Sequence, residues 1–162
     1  MKTLVAVFIV GAIAFLISAW MFPKALKYAK KHGIVDNPNA RKLQRVPVPV
    51  MGGVAVYTGL LVATIAIVFI THNYRIIPII FAMTVMLAIG VWDDIKNLPA
   101  TLRFIVEIAL VWGLMASTGK YIDSFHGLWG IQGVDVFVSL PLSLLAGVGI
   151  INAVNLIDGV DG

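Results

Sequence analysis

The chain of 162 residues is 60% hydrophobic and 12% charged, with a net charge of +4 and a mean hydropathy of +0.97. Soluble domains hold roughly 45–50% apolar and 25% charged residues, so this composition excludes an ordinary water-soluble fold and requires a bilayer. The lack of cysteine excludes disulfides and thiolate metal sites, leaving oxygen or imidazole ligands for any metal, and the positive charge is read loop by loop rather than as affinity for nucleic acid.

The first predicted span covers residues 4–22, which are 19 residues without a charge, close to the roughly 20 needed to cross about 30 Å of hydrocarbon. It exceeds the roughly 7–15 residues of a signal-peptide core, and a basic stretch follows it instead of a small-residue cleavage site. In the loop 23–51, Lys24, Lys27, Lys30 and Lys31 suit the inner side of a membrane and attraction to anionic lipid. Further along, Arg41, Lys42 and Arg45 supply fixed positive charge of the kind that phosphates seek. Pro47 and Pro49 keep this segment extended. Gly52 and Gly53 then open the second span, 52–70, with free backbone donors.

A third span is predicted over 76–92, and Asp93 and Asp94 follow it directly. Successive residues on a helix point about 100° apart, so one carboxylate can meet a cation while its neighbour orients or accepts a proton. Hard oxygen ligands of this kind suit Mg²⁺ or Mn²⁺. An isolated Asp-Asp pair also marks the solvated end of a helix, and alone it does not separate the two readings. The fourth span, 104–119, holds a single acid, Glu107, four residues after Arg103, a spacing at which the two can pair.

The fifth span, 136–151, is uncharged and leads into Asn152-x-x-Asn155-Leu156-x-Asp158-Gly159-x-Asp161-Gly162. If the helix continues beyond residue 151, then Asn152, Asn155 and Asp158 fall three apart on one drifting stripe. Asn and Asp beside Gly are common turn formers, but this regular order is more than a turn requires. His32, His72 and His126 are single and scattered, and none suggests a site.

Each span carries the chain across the membrane, so loops 23–51, 93–103 and 152–162 share one face. That face holds nine basic residues, Lys24, Lys27, Lys30, Lys31, Arg41, Lys42, Arg45, Lys96 and Arg103; Lys2, Arg75 and Lys120 fall on the other. The excess marks the first face as cytoplasmic. The expected fold is an all-α polytopic integral membrane protein, a single transmembrane domain over 1–162 with five transmembrane helices.

Three segments of the basic face carry a resemblance. They are Asp36-x-Pro38-x-x-Arg41-Lys42 with Pro47-x-Pro49-x-x-Gly52-Gly53, then Gly90-x-x-Asp93-Asp94, then the Asn152 to Gly162 motif. In order, spacing and topology they resemble the polyprenyl-phosphate N-acetylhexosamine-1-phosphate transferase family over the whole chain. The resemblance implies transfer of an N-acetylhexosamine 1-phosphate from a UDP-sugar to undecaprenyl or another polyprenyl phosphate, with release of UMP and a requirement for Mg²⁺. It implies a multi-pass protein of the bacterial cytoplasmic membrane serving cell-envelope polysaccharide synthesis.

By motif position, the resemblance makes Asp93 and Asp94 the metal and nucleophile-handling pair. Asp158 and Asp161 become catalytic acids, Asp158 also assisting the metal, while Asn152 and Asn155 line the nucleotide-sugar site. Arg41, Lys42, Arg45, Gly52 and Gly53 complete the substrate-binding set. The implied partners are a UDP-N-acetylhexosamine, polyprenyl phosphate and membrane lipid; a homodimer is an open alternative to a single copy.

The sequence also departs from the family. Gln44, Arg103 and Glu107 stand where members often have His, Lys and Gln, so roles assigned there do not carry over. Members run to about ten or eleven spans and add a further cytoplasmic Asp and a His-rich loop, neither matched here. The chain is therefore expected to correspond to the N-terminal half of such an enzyme, with an inactive fragment or partner subunit as the alternative. A transporter would line a midplane path with ionisable groups, and only Arg103 and Glu107 qualify, both near one end.

Overall fold

The computed structural model describes residues 2–36 and 47–160, with side chains over 7–35 and 47–156. Five helices within them are long and apolar enough to cross a membrane, and the protein is an all-α polytopic membrane protein, as its hydropathy requires. The chain divides into two compact units, Met1–Asn97 and Leu98–Gly162.

The first unit contains α1 (Lys2–His32), the two-residue strands β1 (Val35–Asp36) and β2 (Val48–Pro49), α2 (Gly52–Thr71), a short 3-10 turn and α3 (Ile77–Lys96). Between helices in lipid there is no hydrophobic driving force, so close backbone approach and interhelical hydrogen bonds hold them together. Ala55, Gly59 and Ala63, four residues apart, are all buried on one face of α2. A Cβ on Gly59 would collide with the carbonyl of Ala14 and the hydroxyl of Ser18, so only glycine lets α1 lie this close. Ser18 Oγ uses the approach to donate to the Val56 carbonyl at 3.3 Å. On α3, Thr84 shares a hydrogen bond with the Tyr57 hydroxyl, which also donates to the Ile80 carbonyl at 3.4 Å.

Helix α1 runs to His32, ten residues beyond the predicted end of the first span at residue 22. Pro23 removes one ladder bond but does not end the helix, because the Lys, Ala and Leu that follow are good helix formers. Ala25 and Ala29 are buried on this extension, and Lys24 Nζ lies 2.8 Å from the centre of the Trp20 ring, a cation–π contact. The helix closes where the Ile34 N–H reaches the Ala29 carbonyl at 2.9 Å across Gly33, whose φ of +66° suits glycine. Beyond it, Val35 pairs with Pro49 and Asp36 with Val48, antiparallel. The extension expected around Pro47 and Pro49 is therefore present as a strand.

The second unit is the pair α4 (Ala100–Thr118) and α5 (Val136–Val160) with their connecting segment. Glycine again sets the separation, since a Cβ on Gly147 would lie 2.8 Å from Val111 Cγ1. The connection is tied down by two buried serines of α5. Ser139 Oγ donates to the Ile122 carbonyl, and Ser143 Oγ accepts the Ile122 N–H at 2.7 Å. Asp135 then starts α5 by accepting the Phe137 N–H at 2.9 Å through Oδ1.

The helices outrun the predicted loops. Between α3 and α4 the expected loop 93–103 shrinks to residues 97–99, and the expected loop 152–162 is helical through Val160. Hydropathy marks the apolar slab, whereas a helix continues past it while its polar side chains reach water.

Gly59→Ala is expected to lower stability by about 1–3 kcal/mol through overpacking, read as a lower thermal midpoint in detergent. Gly113→Ala, on α4 with open space around it, should instead hold or raise that midpoint, since it restricts the unfolded chain.

Candidate functional site

In the first unit, the aspartate pair lies where α3 ends. Asp93 and Asp94 occupy its last turn, Asp93 half-buried and Asp94 exposed. The turn is closed by Asn97, which takes φ +50° and donates its N–H to the Asp93 carbonyl at 2.7 Å. Asn tolerates this left-handed conformation better than other side chains do. Two carboxylates at the negative pole of a helix dipole make the turn attractive to a cation, and Lys96 lies in the same turn.

Gly52 and Gly53 are the first residues of α2, and Met51 before them gives no side-chain cap. A Cβ on Gly52 would lie 3.8 Å from the Phe22 ring, and one on Gly53 3.8 Å from Leu87 Cδ1 of α3. Because α2 and α3 are joined by the short segment 72–76, which holds the Tyr74–Ile76 turn, the start of α2 and the end of α3 belong to the same end of this hairpin. Phe22, Leu26, Pro49, Met51 and Gly52 line a small apolar groove beside it.

In the second unit, Asn152 is half-buried on α5 and Asn155 exposed. The Asn152 carboxamide donates to Glu107 Oε2 on α4 and, at 2.9 Å, to the Val148 carbonyl one turn earlier. Glu107 is only 2% exposed. Spacing suggested Arg103 as its partner; the structure adds Asn152, forty-five residues away. The usable signal was that a lone acid within an apolar run must find a polar partner in the protein. Asp158 lies on α5 one turn beyond Asn155, with its side chain outside the described set. Arg41, Lys42, Arg45 and Asp161 lie outside the described residues.

Among the described residues, no three or more His, Asp or Glu gather as a metal site. Mg²⁺, however, is commonly held by one or two carboxylates, with water and phosphate oxygens completing its shell. As hard oxygen donors, Asp93 and Asp94 fit that ion.

Residues 76–162, which include both the aspartate pair and the terminal motif, match the sequence model of glycosyl transferase family 4. The chain belongs to glycosyl transferase family 4. A probable undecaprenyl-phosphate N-acetylglucosaminyl 1-phosphate transferase of Bacillus subtilis (strain 168) is 32% identical over 163 residues, covering 100% of this chain and 44% of the relative. An undecaprenyl-phosphate alpha-N-acetylglucosaminyl 1-phosphate transferase of Escherichia coli O157:H7 is 32% identical over 85% of this chain and 37% of its own. The Yersinia pestis protein of the same name is 30% identical over 91% and 40%. The family 4 chain thus spans less than half the length of these curated relatives. No solved structure matches it significantly.

The cap at Asn97 gives a direct check on how this family 4 chain holds its aspartates. Asn97→Gly should leave amide hydrogen exchange over residues 93–97 unchanged. Asn97→Val, forcing a branched side chain into the left-handed region at about 1–2 kcal/mol, should speed it roughly tenfold.

Proposed function

We propose that this protein transfers N-acetylglucosamine 1-phosphate, or a closely related N-acetylhexosamine 1-phosphate, from a UDP-sugar to undecaprenyl phosphate with release of UMP. The observation that carries this reading is the pair Asp93 and Asp94 on the last turn of a membrane helix, within the stretch that matches glycosyl transferase family 4. The names of the relatives supply the acceptor and the sugar. The active face is the cytoplasmic one, on the charge asymmetry of the loops, and the membrane is the bacterial inner membrane, as befits a lipid-linked acceptor whose tail stays in hydrocarbon.

In the reaction, an oxygen of the lipid phosphate forms a bond to the sugar-linked phosphorus. The bond from that phosphorus to the bridging oxygen breaks, and the electron pair leaves with UMP. Both reactants are anions. A phosphate monoester has its second pKa near 6, so the nucleophile is already largely ionised at neutral pH, and neutralising charge matters more than removing a proton.

Asp93 and Asp94 would hold Mg²⁺, which when bound offsets the phosphate charge. Arg41, Lys42 and Arg45 add fixed positive charge toward the phosphates, Arg able to grip them bidentately. The first amides of α2, at Gly52 and Gly53, to which Met51 gives no side-chain cap, suit an anionic oxygen. Asn152 and Asn155 hold the nucleotide sugar, with Asp158 and Asp161 beside them on the same motif. Which Asp also handles the nucleophile is a matter of their individual loss on substitution.

The test is UMP release from UDP-N-acetylglucosamine by native membranes supplied with undecaprenyl phosphate. Release should require Mg²⁺ and fall on the order of 100-fold in Asp94→Asn, the loss expected when an electrostatic group is removed from the site of developing charge. Mg²⁺-dependent release left intact by that substitution would overturn the assignment.

A further inference from the structure

A carboxyl group inside a membrane helix is costly unless the protein partners it. Glu107 is such a group, 2% exposed and, with Ser139, one of the largest fully buried side chains among the described residues. Its contact is to Asn152, the first residue of the terminal motif. Gly147 and Val111 let α4 and α5 approach closely enough for so short a side chain to reach across.

The contact also fixes which way the carboxamide faces. Its nitrogen meets two acceptors, Glu107 Oε2 and the Val148 carbonyl at 2.9 Å. Turned over, the amide would set its oxygen against the Val148 carbonyl, which has no proton to offer, so the flip that leaves many Asn side chains ambiguous is closed here by chemistry. Both N–H groups are spent. Oδ1 is the atom left to meet a ligand.

We infer that Glu107 is a positioning residue for Asn152, and that Asn152 meets the nucleotide sugar as an acceptor, taking an N–H or O–H of the donor through Oδ1 rather than binding a phosphate oxygen. This rests on the transferase reading above. The α4 acid thereby acts on donor recognition through the amide it orients, without itself touching the donor.

Two measurements test it. In nanodiscs holding protein labelled with ¹⁵N-asparagine, the side-chain protons of Asn152, identified by their loss in Asn152→Ser, should exchange slowly with water. Glu107→Leu should speed that exchange about tenfold, as loss of a hydrogen bond implies. Glu107→Gln, which keeps a carbonyl acceptor, should hold it within about threefold.

The second measurement is kinetic, in native membranes. Glu107→Leu should raise KM for UDP-N-acetylglucosamine about tenfold while KM for undecaprenyl phosphate and the thermal midpoint stay near wild type. The pair Glu107→Gln with Asn152→Asp reverses the direction of the bond yet keeps an oxygen facing outward. It should restore only part of the donor affinity that Asn152→Asp alone loses, since the oxygen that replaces the amide nitrogen also faces the Val148 carbonyl. A phosphate-binding Asn152 would instead stay defective in the pair, because the added negative charge would repel the phosphate.

Unchanged exchange in Glu107→Leu overturns the lock whatever the kinetics. A parallel rise of both KM values overturns its role in donor recognition, since a merely structural residue would disturb both substrates. If wild-type membranes show no transfer at all, the transferase reading falls and the donor contact with it, and the exchange rates alone then decide the lock.

Discussion

Inside a bilayer a polar side chain has no water to fall back on, and this constraint organises each unit of the protein. Among the described residues, no buried side-chain nitrogen or oxygen lacks a hydrogen-bond partner. Ser18 reaches Val56, Tyr57 reaches Thr84 and Ile80, Ser139 and Ser143 hold both sides of the Ile122 peptide, and Asn152 holds Glu107. In each of these bonds a polar side-chain atom supplies the donor or the acceptor. The apolar residues place the helices in the membrane; the polar ones choose which helix lies against which, and in what register.

Such bonds are short-range, so they need helices that approach closely. Glycine supplies that approach in each unit, Gly59 against Ala14 and Ser18 in the first and Gly147 against Val111 in the second. Where the backbones touch, a serine or asparagine with one or two side-chain torsions can bridge them, and little conformational entropy is lost in fixing it. Longer polar side chains lie mostly beyond the apolar runs, as with Lys24 over Trp20 and Lys96 in the last turn of α3, and Glu107, inside one, has Asn152 as its partner.

The five helices were legible in the sequence because length and hydropathy are properties of a continuous segment. Their ends were not. The extension of α1 through Pro23 depends on backbone bonding that continues after the apolar signal stops; that of α5 through Asn152 and Asn155 was open in the sequence only as a condition on the motif's spacing. The aspartate pair and the terminal motif were legible as local patterns, and the family match covers both. The bond between Glu107 and Asn152 was not, since it spans forty-five residues and depends on the closeness of two helices. Spacing offers only neighbours on one helix, and so it proposed Arg103, four residues away. A lone acid in an apolar run announces that a partner exists without naming it.

The chemistry proposed for this chain sets one phosphate against another, so its central need is positive charge close to phosphate oxygen. A membrane helix is poorly suited to carry cationic side chains anywhere but at its ends. The α2–α3 hairpin answers with two poles at one end. At the start of α2, amides that Met51 does not cap present positive partial charge; at the end of α3, Asp93 and Asp94 add negative charge to a pole that is already negative. The carboxylates would repel a bare phosphate, and the amides offer nothing to a bare cation. A phosphate that arrives with its divalent cation carries both signs, and it matches this polarity where neither component alone does. On the proposed reading, metal and phosphate therefore favour one another's binding.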